Sequence, residues 1–259
     1  MGTMSFRSFD YAGIRHIVID NLGEGSITVE GGVEADAVDG SIEAEDSLLA
    51  DVQIRQAQDS LRISLPQRSW RRATVDLRLR VPDDLAFVIK TGAADVSFAV
   101  GIARSRLISG SGDISIGRAT DLDCSTGSGN VQVSELVGRG ARLSTGSGHL
   151  SIGSSSCPIS AKSGSGHIDI TSLNRADLQA GSGSGEVTVS STTGSVDIRS
   201  ASGSVSVGVA DQLATWLDLS SVSGRLAIGM EAISQPEPGE PYISVRARTA
   251  SGDIGVFRS

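Results

Sequence analysis

Apolar and polar residues alternate along most of the chain, and many of the alternating stretches follow a glycine–serine–glycine corner. The apolar pairs Ile114/Ile116, Val131/Val133, Leu150/Ile152, Ile168/Ile170, Val187/Val189 and Val205/Val207 recur at steps of 17, 19, 18, 19 and 18 residues. Leu226/Ile228 and Ile254/Val256 continue the series at wider steps of 21 and 28. Between them runs a second series: Leu122/Cys124, Ala141/Leu143, Ile159/Ala161, Leu178/Ala180, Val196/Ile198, Leu217/Leu219 and Ile243/Val245. A side-chain period of two marks a strand with one buried face. Two such strands, about nine residues apart, make one coil of about 18 residues. Equivalent strands of successive coils then stack in parallel about 4.8 Å apart.

This pattern predicts an all-β fold, a single-stranded parallel β-solenoid of the β-helix or β-roll kind with two main strands per coil. The apolar pairs point inward, while Ser115, Gln132, Ser151, Asp169 and Thr188 point outward. Right-handed coiling is favoured only by the general rule for parallel crossovers, and the sequence itself does not reveal the hand. Gly112, Gly129, Gly148, Gly166 and Gly185 each stand two residues before an inward side chain. A corner repeated in every coil needs either positive φ or close approach to its neighbours, and glycine allows both. The serines between the corner glycines (Ser111, Ser128, Ser147, Ser165 and Ser184) are expected to stack and to bond the turn backbone.

Residues 1–90 are less regular but still β, and are expected to cap the solenoid. Strands are predicted at Ile14–Ile19, Ser26–Val29, Val52–Arg55, Leu61–Leu65, Val75–Val81 and Phe87–Lys90, with no helix. GEGSITVEG and VDGSIEAE read as worn copies of the corner-plus-strand unit. Residues 91–259 are the regular repeats, continuous with the cap as one domain and interrupted by an insertion at 230–242. The last corner, Ser251-Gly252-Asp253, leads to a strand ending at Phe257. That final coil is expected either to be covered by the insertion or to remain an open β-edge.

Composition removes several classes of function. The 259-residue chain carries a net charge of −8, which opposes nucleic acid and anionic lipid. No run approaches the roughly 20 apolar residues needed to span a bilayer, and the first residues contain no export segment. A cytoplasmic location, without membrane insertion, is expected unless an export segment precedes the chain. Cys124 and Cys157 read as two idle thiols.

Candidate chemistry is sparse. The residue before each apolar pair runs Asp113, Asn130, His149, His167, Glu186, Ser195, Ser204, Arg225, Asp253. A calcium-binding β-roll needs an aspartate in each half-coil, and serine and arginine in this column exclude it. His149 and His167 stand one coil apart with Asp169 nearby, making these three the candidate metal ligands against a plain solvated pair. No catalytic or cofactor-binding motif is present: there is no G-x-S-x-G, no P-loop and no G-x-G-x-x-G. Two Trp and two Tyr cannot form a row of sugar-stacking rings. Arg68, Trp70, Arg71 and Arg72 form a basic loop with a Trp, residue types that anchor interfaces, and are the partner-binding candidates. The alternative there is that Trp70 folds back as a cap.

The run LRLRVPDDLAFVIKTGAADVSFAV (77–100), followed by repeated SGSGDISI-like units, resembles the "toast-rack", or putative-adhesin, β-strand-repeat family. The resemblance extends from about residue 10 to 257. It implies a β-solenoid of bacterial origin, associated with envelope-stress systems, with no catalytic residues to carry over. The expected function is a non-enzymatic binding or scaffold module without a cofactor, engaging a protein partner or another copy of itself. The alternatives are a structural protein polymerising through its solenoid ends, and a carbohydrate-binding adhesin.

Overall fold

A computed structural model describes residues 4–33, 37–64, 74–211, 214–230 and 242–259. The chain forms two compact units, residues 1–133 and 134–259.

In the first unit the strands are β1 (Met4–Ala12), β2 (His16–Leu22), β3 (Glu24–Glu30), β4 (Ala37–Glu45), β5 (Gln53–Ala57), β6 (Ser60–Ser64), β7 (Thr74–Arg80), β8 (Ala86–Thr91), β9 (Asp95–Ile102), β10 (Ser105–Ser109) and β11 (Ile114–Thr126). One parallel ladder runs β6–β2–β8–β10 and ends on the second half of β11. The other runs β7–β3–β9 and ends on the first half of β11. Leu107, Ile114, Ile116 and Cys124 fill the space between them, all nearly inaccessible to solvent. The outer strands run the other way: β4 is antiparallel to β7, β1 to β4 and β5 to β6. VDGSIEAE therefore lies in an antiparallel strand, paired between β7 and β1, rather than in a worn parallel coil. A six-residue helix, α1 (Asp46–Asp51), also departs from the sequence expectation. None of its residues is buried, so it bridges β4 to β5 without the apolar face that would have announced it.

The second unit begins within β12 (Val131–Thr145). It continues through β13 (Leu150–Ser155), β14 (Ile159–Ser163), β15 (Ile168–Leu173), β16 (Leu178–Ser182), β17 (Val187–Thr192), β18 (Val196–Ser200), β19 (Val205–Val209), β20 (Ala214–Ser221), β21 (Leu226–Gly229), β22 (Tyr242–Thr249) and β23 (Ile254–Arg258). One ladder is β12–β14–β16–β18–β22–β20, and the other is β13–β15–β17–β19–β23–β21. Every pairing in both is parallel. The inward pairs face each other between the ladders, as the period of two requires.

Coil order differs from chain order at one place. Val196 and Leu217 both pair with Val245, so the C-terminal coil β22–β23 is inserted beneath β20–β21. Ile254 and Val256 are fully buried, whereas Leu226 is 49% and Ile228 54% exposed. The coil that ends the stack is thus not the one that ends the chain. The insertion expected to cover it lies largely outside the described residues.

The corners are held by two devices. A Cβ on Gly166 would overlap the backbone of Gly148 in the preceding coil, so close approach requires glycine there. Positive φ plays no part, since Gly166 does not adopt it. The hydroxyl that caps the corner comes from the residue before the first glycine: Thr126 Oγ1 accepts the Gly129 N–H at 3.1 Å, and Thr145 Oγ1 accepts that of Gly148 at 2.9 Å. The serines between the glycines are mostly exposed; Ser202, one of the later ones, does donate to the Gly183 carbonyl. Among the described residues no helix is long and apolar enough to cross a membrane.

Candidate functional site

A strand in the middle of a ladder has its backbone groups committed on both edges, so only its outward side chains can meet a ligand. In the second unit those side chains differ between the two ladders. On β13–β15–β17–β19–β23–β21 one outward row reads Ser151, Asp169, Thr188, Ser206, Gly255, Ala227. It is small, flat and nearly uncharged. On the opposite ladder one row reads Arg142, Ser160, Gln179, Asp197, Arg246, Asp218. The next row on that ladder reads Ser144, Lys162, Gly181, Arg199, Arg248, Ser220.

Together the two rows hold five basic side chains and two acidic ones. The acids are already engaged. Asp218 Oδ2 accepts from Arg246 Nε at 2.9 Å and from Arg248 Nη2 at 3.1 Å. The hydrogen bond from Arg246, reinforced by Arg248, holds the Asp218 carboxyl below its usual range. Asp197 Oδ2 lies 3.5 Å from Arg199 and 4.0 Å from Arg246. Arg142 and Lys162 have no acidic partner among the described residues. Arg246 also lies over the Trp216 ring, 5.9 Å from its centroid.

Between these rows is an open groove of about 740 Å³ lined by Arg142, Ser160, Lys162, Gln179, Asp197 and Arg199, among others. Its floor opens at Gly181, where there is no side chain between Lys162 and Arg199. An added Cβ there would meet nothing nearer than Lys162 Cγ at 4.0 Å. Backbone crowding, which fixes glycine at the corners, does not fix it here.

The histidines are brought together as the spacing predicts: the rings of His149 and His167 stack 4.9 Å apart and nearly parallel. Their Nδ1 atoms are occupied, however. His149 Nδ1 accepts the His167 N–H at 3.1 Å, and His167 Nδ1 accepts the Glu186 N–H at 3.0 Å. The same role falls to Ser204 Oγ, which accepts the Asp253 N–H, and to Asp253 Oδ1, which accepts the Arg225 N–H. In the first unit Asp95 and Asp113 do likewise for Asp113 and Asn130. At Asp95, Asp113, His149, His167, Ser204 and Asp253 this variable column supplies an acceptor aimed at the backbone of the next coil. Arg225, which cannot accept, stands in the coil that ends the stack. Ser195 belongs to the other ladder and not to this column. Asp169 faces outward between Ser151 and Thr188, and no group of three metal-ligating side chains forms among the described residues. Arg68, Trp70, Arg71 and Arg72 lie outside the described residues. Cys124 and Cys157 are buried free thiols, and burial, with a smaller push from Asp123, raises Cys124 to about 12.

The basic face escaped the sequence reading although the signal was there. The outward positions of the first series of strands, Ser115, Gln132, Ser151, Asp169 and Thr188, carry no basic residue. The same positions in the second series, beside Ala141, Ala161, Ile198 and Val245, carry Arg142, Lys162, Arg199 and Arg246.

The Toastrack DUF4097 pattern matches residues 52–257, most of both sets of ladders. The chain belongs to the Toastrack DUF4097 family. Among solved structures, a putative adhesin from Bacteroides fragilis NCTC 9343 is similar to this Toastrack chain at 15% identity and a TM-score of 0.52, covering 98% of this chain and 97% of that one. A putative lipid-binding protein from Parabacteroides distasonis ATCC 8503 matches at 15% identity and a TM-score of 0.47, covering 98% and 97%. A putative adhesin from Parabacteroides merdae ATCC 43184 matches at 12% identity and a TM-score of 0.36, covering 98% and 96%. At such identity the Bacteroides fragilis protein speaks for the Toastrack fold alone. No curated protein sequence matches the chain.

Proposed function

We propose that this Toastrack chain is a non-enzymatic binding module that presents the basic groove of its second unit to a partner. The observation that carries this reading is the groove itself, where Arg142 and Lys162, without an acidic partner among the described residues, stand beside Arg199 on a ladder whose strands β14, β16 and β18 are paired on both edges. Its lining of hydroxyl, amide and guanidinium groups is suited to holding a ligand. Its one carboxylate, Asp197, holds Oδ2 within 3.5 Å of Arg199 and 4.0 Å of Arg246, while its Oδ1 is buried without a hydrogen-bond partner. The name of the Bacteroides fragilis relative, a putative adhesin, agrees with a binding role. The bacterial envelope is a setting in which such a face would meet an external partner. The test is biolayer interferometry of the immobilised chain against a panel of neutral, anionic and cationic polymers. A bound polymer should be lost in the variant R142Q/K162Q/R199Q and retained in S151A/T188A. Capture indifferent to the first variant, or abolished by the second, overturns the assignment of the groove.

A second reading, association between copies, is favoured by the end coil. Leu226 and Ile228 occupy positions that are buried in the other coils, and among the described residues β20 and β21 pair on one side only. Such an edge is a template for another strand. Arg225 supplies no acceptor to a further parallel coil, which favours an isologous pair over a filament. Sedimentation at rising concentration checks this: a dimer lost in Leu226→Lys is expected, and a wild-type monomer at every concentration refutes it.

A further inference from the structure

The geometry points to an acidic polysaccharide, a chain of carboxylate-bearing sugars, as the ligand of the groove. The inference rests on the binding-module reading above and narrows it to one chemistry. Charge is the first argument. The protein as a whole is at −8, yet this face carries Arg142, Lys162, Arg199, Arg246 and Arg248 against two carboxylates already engaged by arginines. A local cationic strip on an acidic body attracts an anion to this place and to few others.

The backbone supplies the second argument. Strands β14, β16 and β18 are paired on both edges, so no peptide can join them as an added strand. The outward rows carry Arg142, Ser160, Gln179, Lys162 and Arg199 rather than the apolar anchors that the hydrophobic face of a helix would meet. Two common modes of peptide recognition are therefore closed. What remains is hydroxyl and amide bonding through Ser160 and Gln179, alongside the fixed cations.

Spacing is the third. Lys162 and Arg199 stand in one row two strand spacings apart, about 9.6 Å. An extended peptide repeats its same-face side chains about every 6.7 Å and falls out of step with them. A chain of uronic-acid rings that alternate in orientation turns every second carboxylate to one face and so keeps a longer repeat. Gly181, midway between the two cations, leaves room for the ring that separates the acids. Recognition would then rest on cations rather than on stacked rings, which agrees with the scarcity of aromatics.

The deciding experiment is calorimetric titration of the full chain with oligogalacturonate, its neutral methyl ester, a sulfated glycosaminoglycan oligosaccharide and poly-glutamate, at low and high salt. Oligogalacturonate should bind, weaken as salt screens the cations, and exceed its methyl ester by about tenfold or more. Gly181→Glu should weaken binding by about tenfold with an unchanged melting temperature, because the new side chain enters open space. Asp197→Asn should strengthen it severalfold by removing a competing carboxylate. Equal binding of acid and ester, or indifference to Gly181→Glu, overturns the inference. Binding of the sulfated chain alone also overturns it, by assigning the groove to sulfate. Poly-glutamate binding as tightly as oligogalacturonate, with the same response to Gly181→Glu, gives the groove to an acidic peptide and leaves the binding-module reading standing. If none of the four binds while another polymer is captured through R142, K162 and R199, the carbohydrate inference alone falls.

Discussion

The two outer faces of the second unit are made by the same coils, and they share one core, one set of corners and one ladder spacing. One face offers Ser151, Asp169, Thr188 and Ser206, and the other Arg142, Lys162, Arg199 and Arg246. The fold dictates the inward aliphatics and the corner glycines, and it is indifferent to what points outward. A difference between faces that the fold does not require is therefore where function is to be sought. The contrast depends on the inward and outward assignment of each strand, and that assignment has the largest expected effect when broken. Ile168 is fully buried and Asp169, one residue on, is exposed. Ile168→Asp places a charge inside the stack and should cost several kcal/mol, about 4 or more, or prevent folding. Asp169→Ala should shift stability by no more than about 0.5 kcal/mol in urea melts. Similar losses from both would mean that the faces are not distinct.

The next effect separates two kinds of glycine. Gly166 is wedged against the Gly148 backbone, which belongs to the core machinery of both faces. Gly166→Ala must push two coils apart and should cost about 1–3 kcal/mol, with broadened amide signals along the corner. Gly181 sits on the basic face alone with open space above it. Gly181→Ala should be neutral or stabilising by up to about 1 kcal/mol, since it only narrows the unfolded chain. Thermal melts of the two variants side by side provide the check. Matched losses would show that Gly181 is structural and that the groove is a by-product of folding.

What could be read beforehand follows the same division. Ile114 to Val207 announce the coil because burial imposes a period of two and stacking imposes a recurrence near 18. Those constraints act locally, so the sequence carries them openly. Coil order at the C-terminus was not legible. Nothing local in Ile254 or Val256 says that their coil is slipped beneath Leu226 and Ile228, and only long-range register reveals it. The acceptor column was visible as variable residues, but its rule was hidden because Asp, His and Ser satisfy one geometric demand with different chemistry. The basic face lay in plain view at the outward positions of the second strand series. It becomes a site only when register sets residues from Arg142 to Arg248 side by side.

The smallest effect concerns how the basic face holds its own charges. Arg246 first, then Arg248, depress the Asp218 carboxyl below its ordinary 3.8. A depressed folded-state value means that the interaction is present above the unfolded value and is lost as pH falls through the folded one. On acidification below the carboxylate range, Asp218 should therefore release both guanidinium groups, leaving the face more cationic. The row of Ser151, Thr188 and Ser206 has no such pair to release. Carboxyl-detected NMR titration should place the Asp218 midpoint below the ordinary aspartate value, and Arg246→Gln should move it upward. An ordinary aspartate midpoint in the wild type, or no response to Arg246→Gln, would mean that the arginines lie beside Asp218 without binding it. Asp218 would then be available to oppose an anion, and the face would be less cationic than its geometry indicates.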